Sequence, residues 1–435
     1  MEFIENFFKL KENNTTFKTE LLAGLTTFFT MSYLFVLSPK ILTNAGLDFT
    51  STLTTTALLI FICSIIMGLY ANRPYAVAPF LGETAFIAYT ITGALGFSIK
   101  TTFAAIFICG IILLFMSIFK LRMYIVNQIP EAIKIAFCTG LGLFFIFIAL
   151  RDMRIVEFTA NSIPLRTGNL TSLSVILGLL SFLLLITLIK KNVKGAVLIS
   201  ILTTTIIGLI VGDIELPKQI ISLPSNFQDS LFQLDFKGLF NKNFIPIFFV
   251  IFILVNIDTS GALISLNYKT ETKEPQNNDM KKTMISDSIS VILAPLFGTT
   301  TPGAYIDSMT GINAGGRTGL TAITVGLLFL LGLLFTPLIM IIPSYAYAPA
   351  LLYVGILMTT VITKIDFEDI SEFAPTIFII STMIFTYNIG SGIISGFIVY
   401  PLFKLFCGQK NKTNKTTWIL FVLSLIYFAI YPYWN

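Results

Sequence analysis

Apolar runs of about 20 residues recur from Leu21 to Tyr433, parted by short polar turns. A helix needs roughly that length to cross a bilayer. Runs near 19–38, 51–71, 101–119, 129–150, 171–189, 195–212, 244–266, 283–298, 318–341, 345–363, 373–388 and 389–406 each predict a membrane-spanning helix. Two further segments, 76–93 and 299–313, are apolar but short. Both are broken by Pro, Gly and Thr, and each carries a carboxylate. Counting them gives about 14 segments, with a last apolar stretch, 417–433, behind them. The pattern predicts an all-α polytopic membrane protein.

Composition agrees. Charged residues make up 12% of the 435 positions and hydrophobic ones 55%, against about 25% charged in a soluble domain. No stretch is long and polar enough for a separate globular domain, and the N-terminus lacks the pattern of a cleaved signal peptide. The excess of positive charge sits at the ends of apolar runs, where membrane topology places it, so it does not point to nucleic acid. With the connections alternating, Lys and Arg on the side of the N-terminus outnumber those on the other. This predicts a cytoplasmic N-terminus, and a basic linker 404–415 on the same side. Cys63, Cys109, Cys138 and Cys407 lack metal-ligand spacing and read as small packing residues. The chain has no histidine, so proton chemistry falls to carboxylates, Lys or Tyr, and neither cofactor nor metal is expected.

The halves of the chain echo each other. Residues 129–150 and 343–364 both carry a proline near the start and a glycine midway, and a broken segment precedes each by a similar distance. Seven spans per half gives the halves opposite orientations. Interrupted segments at matching places in inverted halves point to a transporter site near the midplane.

Carboxylates in the hydrocarbon cost at least ~2.5 kcal/mol on insertion scales and are usually functional. Three stand out: Glu83 in AVAPFLGETAFIAYT, Asp258 in FFVIFILVNIDTSGALI, and Asp307 in GTTTPGAYIDSMTGINAGG. Asp287, near the start of its span, reads as facing the interface. The spans offer almost no cation to pair with these acids, since Lys134 and Arg317 lie near span ends. Pro79 and Gly82 flank the first broken segment, and Thr299, Thr300, Thr301, Pro302 and Gly303 lead into the second. Threonine followed by proline is a helix-start signal. Each segment therefore predicts an extended stretch leading into a half-helix, whose free N–H groups and partial positive charge face a small polar ligand. A planar heterocycle suits such a cavity: carboxylates accept from ring N–H groups, backbone N–H groups donate to ring carbonyls and nitrogens, and Phe80, Phe86 or Tyr305 cover its faces. Glu83, Thr84, Phe86, Asp258, Thr301, Tyr305 and Asp307 are the candidate substrate-binding residues, and Asp258 and Asp307 are placed to meet substrate or proton directly.

The stretches TELLAGLTTFFTMSYLFVLSPKIL at 19–42, MGLYANRPYAVAP at 67–79, IDTSGALI at 257–264, GTTTPGAYIDSMTGINAGGRTGLTA at 298–322 and APALLYVGILM at 348–358 are similar to the nucleobase–ascorbate transporter family of xanthine/uracil permeases. Within it they resemble the AzgA-like adenine/guanine/hypoxanthine permeases. The resemblance covers nearly the whole chain. It implies 14 segments in two inverted repeats of seven, with a core domain that moves against a gate domain in an elevator-like way. On this chain the core would comprise 1–120 and 244–342 and the gate 121–243 and 343–406, with 407–435 a basic linker and an extra hydrophobic segment. It also implies that acids of the eighth and tenth segments, here Asp258 followed by Thr259 and Asp307 after Tyr305 and Ile306, hold the base and couple it to a cation, usually a proton. Thr259 and Ile306 thereby join the candidate substrate-binding set, and Asp258 and Asp307 are the proton-coupling candidates. A purine base, a proton or other cation, the lipid of the cell membrane and a second copy in a homodimer are the implied partners. The chain departs from the subfamily in having Asp307 where glutamate is usual, Glu83 where asparagine is usual, and Ala262 where threonine is frequent.

Two other functions weigh less. An anion carrier on the same fold would face three acids with no basic residue beside them. An intramembrane aspartyl protease would need a GxGD signature that the chain lacks.

Overall fold

A computed structural model describes residues 2–159, 165–224, 227–241, 243–270, 277–409, 411 and 413–430. After a short helix α1 (Glu2–Phe7) the first half runs α2 (Phe17–Met31), α3 (Leu34–Thr43), α4 (Phe49–Ile66), strand β1 (Val77–Pro79), α5 (Leu81–Ala85), α6 (Ile99–Ile118), α7 (Leu121–Gln128), α8 (Glu131–Asp152), the hairpin β2 (Val156–Phe158) and β3 (Leu165–Thr167), α9 (Leu173–Lys190) and α10 (Ala196–Val211). The second half runs α11 (Ile245–Thr270), α12 (Asn277–Leu296), strand β4 (Pro302–Ala304), α13 (Ser308–Asn313), α14 (Gly319–Gly332), α15 (Thr336–Met340), α16 (Ser344–Thr359), α17 (Ile370–Phe385) and α18 (Ile389–Phe406). A further helix α19 (Lys415–Ile430) follows. Among the described residues, nine helices are long and apolar enough to cross a bilayer, and three shorter apolar helices accompany them. The protein is an all-α multi-pass membrane protein. Residues 431–433 of the last apolar stretch, Lys410 and Lys412 of the basic linker, and 271–276 of the other polar linker lie outside the described residues.

Local chemistry sets the helix ends. Asp48 accepts from the Ser51 N–H at 2.8 Å, Asn388 from the Ser391 N–H at 3.0 Å and Thr16 from the Thr19 N–H at 3.2 Å. Each satisfies a donor that a helix start leaves free. Within the helices, threonine hydroxyls donate back to the carbonyl four residues earlier, as at Thr30, Thr84, Thr205 and Thr324. This lets polar side chains lie in an apolar segment with no donor left over.

The chain divides into two compact units. Among the described residues, one takes in 2–128, 221–336 and Ile430, the other 129–220 and 337–429. In the first unit β1 and β4 pair at the centre, α4 packs on α14, and α6 on α12. In the second, α8 packs on α16 and α17, α9 on α10 and α16, and α17 on α18. These pairings interchange when each segment of one half is replaced by its counterpart in the other. The second segments (α4, α12) and fourth (α6, α14) swap partners, as do the fifth (α8, α16) and sixth (α9, α17). The third segments meet each other as an antiparallel pair, so the halves run in opposite directions. Two inverted repeats of seven segments produce this pattern.

Glycine makes one of these approaches close. A Cβ on Gly355 of α16 would lie 2.5 Å from the Gly142 carbonyl oxygen of α8, and one on Gly142 would lie 2.6 Å from the Gly355 carbonyl oxygen. These are the mid-segment glycines of the two echoing stretches, and they let two helix backbones touch. Gly355→Ala must push two backbones apart. It is expected to lower stability by about 1–3 kcal/mol, read as a lower midpoint of thermal unfolding in detergent.

Candidate functional site

Both broken segments lie in the first unit, and they meet there. Val77 pairs with Ala304, Ala78 with Gly303 and Pro79 with Pro302. The Phe80 N–H donates to the Thr301 carbonyl at 3.0 Å, and the Tyr305 N–H to the Ala76 carbonyl at 2.8 Å. The prolines cannot donate to a ladder and so keep the strands short. From each strand the chain turns into a helix, α5 after Phe80 and α13 after Asp307. α5 widens at once into a π-helical coil over Phe86–Ala94. Both strands are buried, the one setting in which non-helical backbone is tolerated at membrane depth.

The predicted site residues take distinct places around this cross. Phe80 and Tyr305 stack, with ring centroids 5.7 Å apart and planes at 20°. Gly303 makes room for the stack, because a Cβ there would run into the Phe80 ring. Thr84 joins the breaks from the side: its hydroxyl donates to the Phe80 carbonyl at 2.8 Å and lies 2.6 Å from the Thr300 hydroxyl. Asp307 is half-buried at the start of α13, and its Oδ2 accepts from the Tyr33 hydroxyl at 3.4 Å. Asp258, on α11, is half-buried too. Glu83, in the first turn of α5, is only 3% exposed, and neither of its carboxylate oxygens accepts a hydrogen bond among the described residues. Its charge feels that of Asp258, and Thr301, whose hydroxyl is also unpartnered, stands beside it. Phe86 is packed in the interior, whereas Ile306 is 56% exposed and turned away from it.

Four positions escaped the reading of the sequence. Arg122, which reads as a loop cation between spans, is fully buried with Asp287, 2.7 Å from the Asp287 Oδ2. It also donates to the hydroxyls of Ser260 at 2.9 Å and Ser288 at 3.3 Å, to the Met284 carbonyl at 3.3 Å, and to the Thr259 hydroxyl. This corrects two expectations: Asp287 does not face an interface, and the interior does hold a cation. Short helix α7, LRMYIVNQ, brings Arg122 against α11 and α12. Thr259 is thereby fixed, since its hydroxyl also donates to the Val255 carbonyl at 2.5 Å. Asn256, a turn before Ser260 on α11, is buried, its Nδ2 unpartnered while its Oδ1 accepts from Ser260 at 3.4 Å. Its signal was present in the run FILVNIDTSG. Glu20 is buried and accepts from the Arg317 N–H at 2.9 Å, the Thr318 N–H at 3.3 Å and the Thr321 hydroxyl at 2.6 Å. It thus fastens the GGRTGLTA turn to α2. Arg317 donates to the Ile312 and Gly316 carbonyls.

In the second unit Lys404, read as the first residue of a basic linker, is also buried. Its Nζ lies 2.5 Å from Glu372 and 3.7 Å from Asp369 and donates to the Ser371 hydroxyl at 2.7 Å, tying the end of α18 to the start of α17.

A multi-pass helical protein whose two inverted halves bring broken segments together beside buried acids has the architecture of a secondary transporter. The chain belongs to the permease family, whose profile matches residues 18–396. It is 37% identical over 430 residues to the adenine permease AdeP of Escherichia coli strain K12, covering 98% of this chain and 96% of that protein. It is 34% identical over 429 residues to the guanine/hypoxanthine permease PbuO of Bacillus subtilis, covering 97% and 98%. The fold is similar to the transmembrane domain of the cyanobacterial bicarbonate transporter BicA, with a TM-score of 0.64, 17% identity and coverage of 87% and 96%. It is also similar to the murine anion transporter Slc26a9 in its inward-facing state, with a TM-score of 0.65, 11% identity and coverage of 90% and 69%. At those identities the likeness is one of fold.

Proposed function

We propose that this permease imports purine nucleobases of the adenine, guanine and hypoxanthine class across the cell membrane, by symport with a proton, with its N-terminus in the cytoplasm. The observation that carries the reading is near full-length identity, 34–37%, to permeases named for those bases. The geometry suits the chemistry. Stacked Phe80 and Tyr305 offer an aromatic surface to a planar ring. Asp258 and Asp307, both partly open, accept from ring N–H groups. Thr301 and the backbone at the strand-to-helix turns offer donors.

An anion makes a poor substrate here although the fold neighbours carry anions. Arg122, the one cation among these groups in the described residues, is already engaged by Asp287, and Glu83, Asp258 and Asp307 would repel a negative charge. Glu83, Asp258, Asp307, Phe80 and Tyr305 all lie in one compact unit. That unit, as core, can therefore carry the occupied site intact in an elevator-type movement against the other as gate. Two copies form the proposed homodimer.

The test is uptake of radiolabelled adenine, guanine, hypoxanthine, xanthine and uracil by cells lacking their own base permeases. Saturable uptake of at least one purine, increased by an inward proton gradient, is expected. Absence of uptake of every base, with the protein shown to be in the membrane, would refute the reading.

A further inference from the structure

Each well-buried acid around the paired strands has compensation except one. Glu20 accepts three hydrogen bonds, and Asp287 faces the Arg122 guanidinium. Glu83 is as deeply buried, yet both of its oxygens are unpartnered. Among the described residues, the charged and titratable groups around it bring no positive charge. Asp258 comes from α11, and Asp287 from α12 has Arg122 of α7 as its own counter-ion. α6 brings only the thiol of Cys109. The single charge on α3, Lys40, sits over the Phe49 ring. Three carboxylates thus share one guanidinium, and buried Glu83 is left beside partly open Asp258 with no counter-charge. A positive charge belongs there that the described residues do not supply. Among the described residues no group of three or more carboxylates, thiols or imidazoles comes together that could hold a metal ion. A proton needs only one carboxylate.

We propose that Glu83 carries a proton through the transport cycle in addition to those handled by Asp258 and Asp307, so that this permease moves one more proton per base than those two acids support. The inference rests on the symport reading above. Loading forms an O–H bond at a Glu83 oxygen, with the proton arriving through partly open Asp258 from one side of the membrane. Unloading breaks that bond and delivers the proton on the other side, and no electrons move. Thr301 is placed to donate to the carboxylate while it is empty.

The experiment is the proton-to-base ratio of the purified protein in proteoliposomes. It is obtained from the membrane potential and pH gradient at which net flux of radiolabelled hypoxanthine or adenine reverses. Glu83→Gln is expected to lower the ratio by one proton, which reduces the limiting accumulation of base about tenfold per unit of pH gradient. Glu83→Asp, which keeps a carboxyl, should keep the wild-type ratio. A silent Glu83→Gln beside a Glu83→Asp running at the wild-type ratio also assigns the proton to this carboxyl. An unchanged ratio in Glu83→Gln overturns the proposal, and so does silence of both variants, which would make Glu83 structural. A wild type that moves no base under any gradient would instead refute the substrate reading itself.

Discussion

Asp258→Asn and Asp307→Asn are each expected to lower base uptake by roughly 10- to 150-fold at low substrate concentration. A hydrogen bond to a charged group contributes about 1.5–3 kcal/mol, and each 1.4 kcal/mol is tenfold in affinity. An amide keeps the shape of the side chain but neither its charge nor its capacity to take up and release a proton. Accumulation against a gradient should therefore fail even where residual binding survives. The two acids are open to a ligand, whereas Glu20 and Asp287 are sealed by partners. Uptake initial rates and equilibrium binding of labelled base to purified protein separate the two effects. Normal accumulation in both variants would remove these acids from the mechanism. The Tyr33 hydroxyl, 3.4 Å from Asp307, supplies a control, because Tyr33→Phe removes one weak donor and should cost far less than Asp307→Asn.

The segments were legible because membrane burial writes itself into length and hydropathy, and the two breaks because Pro, Gly and Thr interrupt an otherwise apolar run. The pairing of those breaks could be anticipated only as a meeting of two stretches. The register, Ala78 against Gly303, depends on side chains from other helices, such as Ser64, whose hydroxyl accepts from the Val77 N–H at 3.1 Å. The first span also turns at Ser32–Tyr33 between α2 and α3, where no proline or glycine marks the change.

Cations were the least legible feature. Lys and Arg between spans read as interface charges because that is where most of them lie. Arg122 and Lys404 differ only in having acids within reach after folding, Asp287 in one case and Glu372 with Asp369 in the other. Those partners are 165 and about 30 residues away along the chain, beyond the reach of a helical spacing rule. Long-range ion pairs leave no local period. The same holds for Gly303, whose need for a bare Cα arises from the Phe80 ring on the other broken segment.

The second large effect concerns Arg122. Removing the guanidinium alone, as in Arg122→Met, leaves Asp287 buried with no counter-ion, which costs about 3–5 kcal/mol in soluble proteins. A marked fall in thermal stability and in the yield of folded protein is expected. Taking away both charges, Arg122→Met with Asp287→Leu, replaces the pair with apolar groups of similar volume, a change that is often neutral or stabilising. The double variant should therefore melt near the wild type. It should not transport like the wild type. Arg122 also holds the hydroxyls of Thr259 and Ser260, and Thr259 adjoins Asp258 on α11. Without that clamp the orientation of Asp258 loosens, and the affinity for base should fall while the fold persists. Thermal unfolding and base binding measured on the single and double variants distinguish the two roles. Recovery of both stability and affinity in the double variant would reduce Arg122 to a counter-ion. Recovery of stability alone would show that the buried pair also positions the acid that meets the substrate.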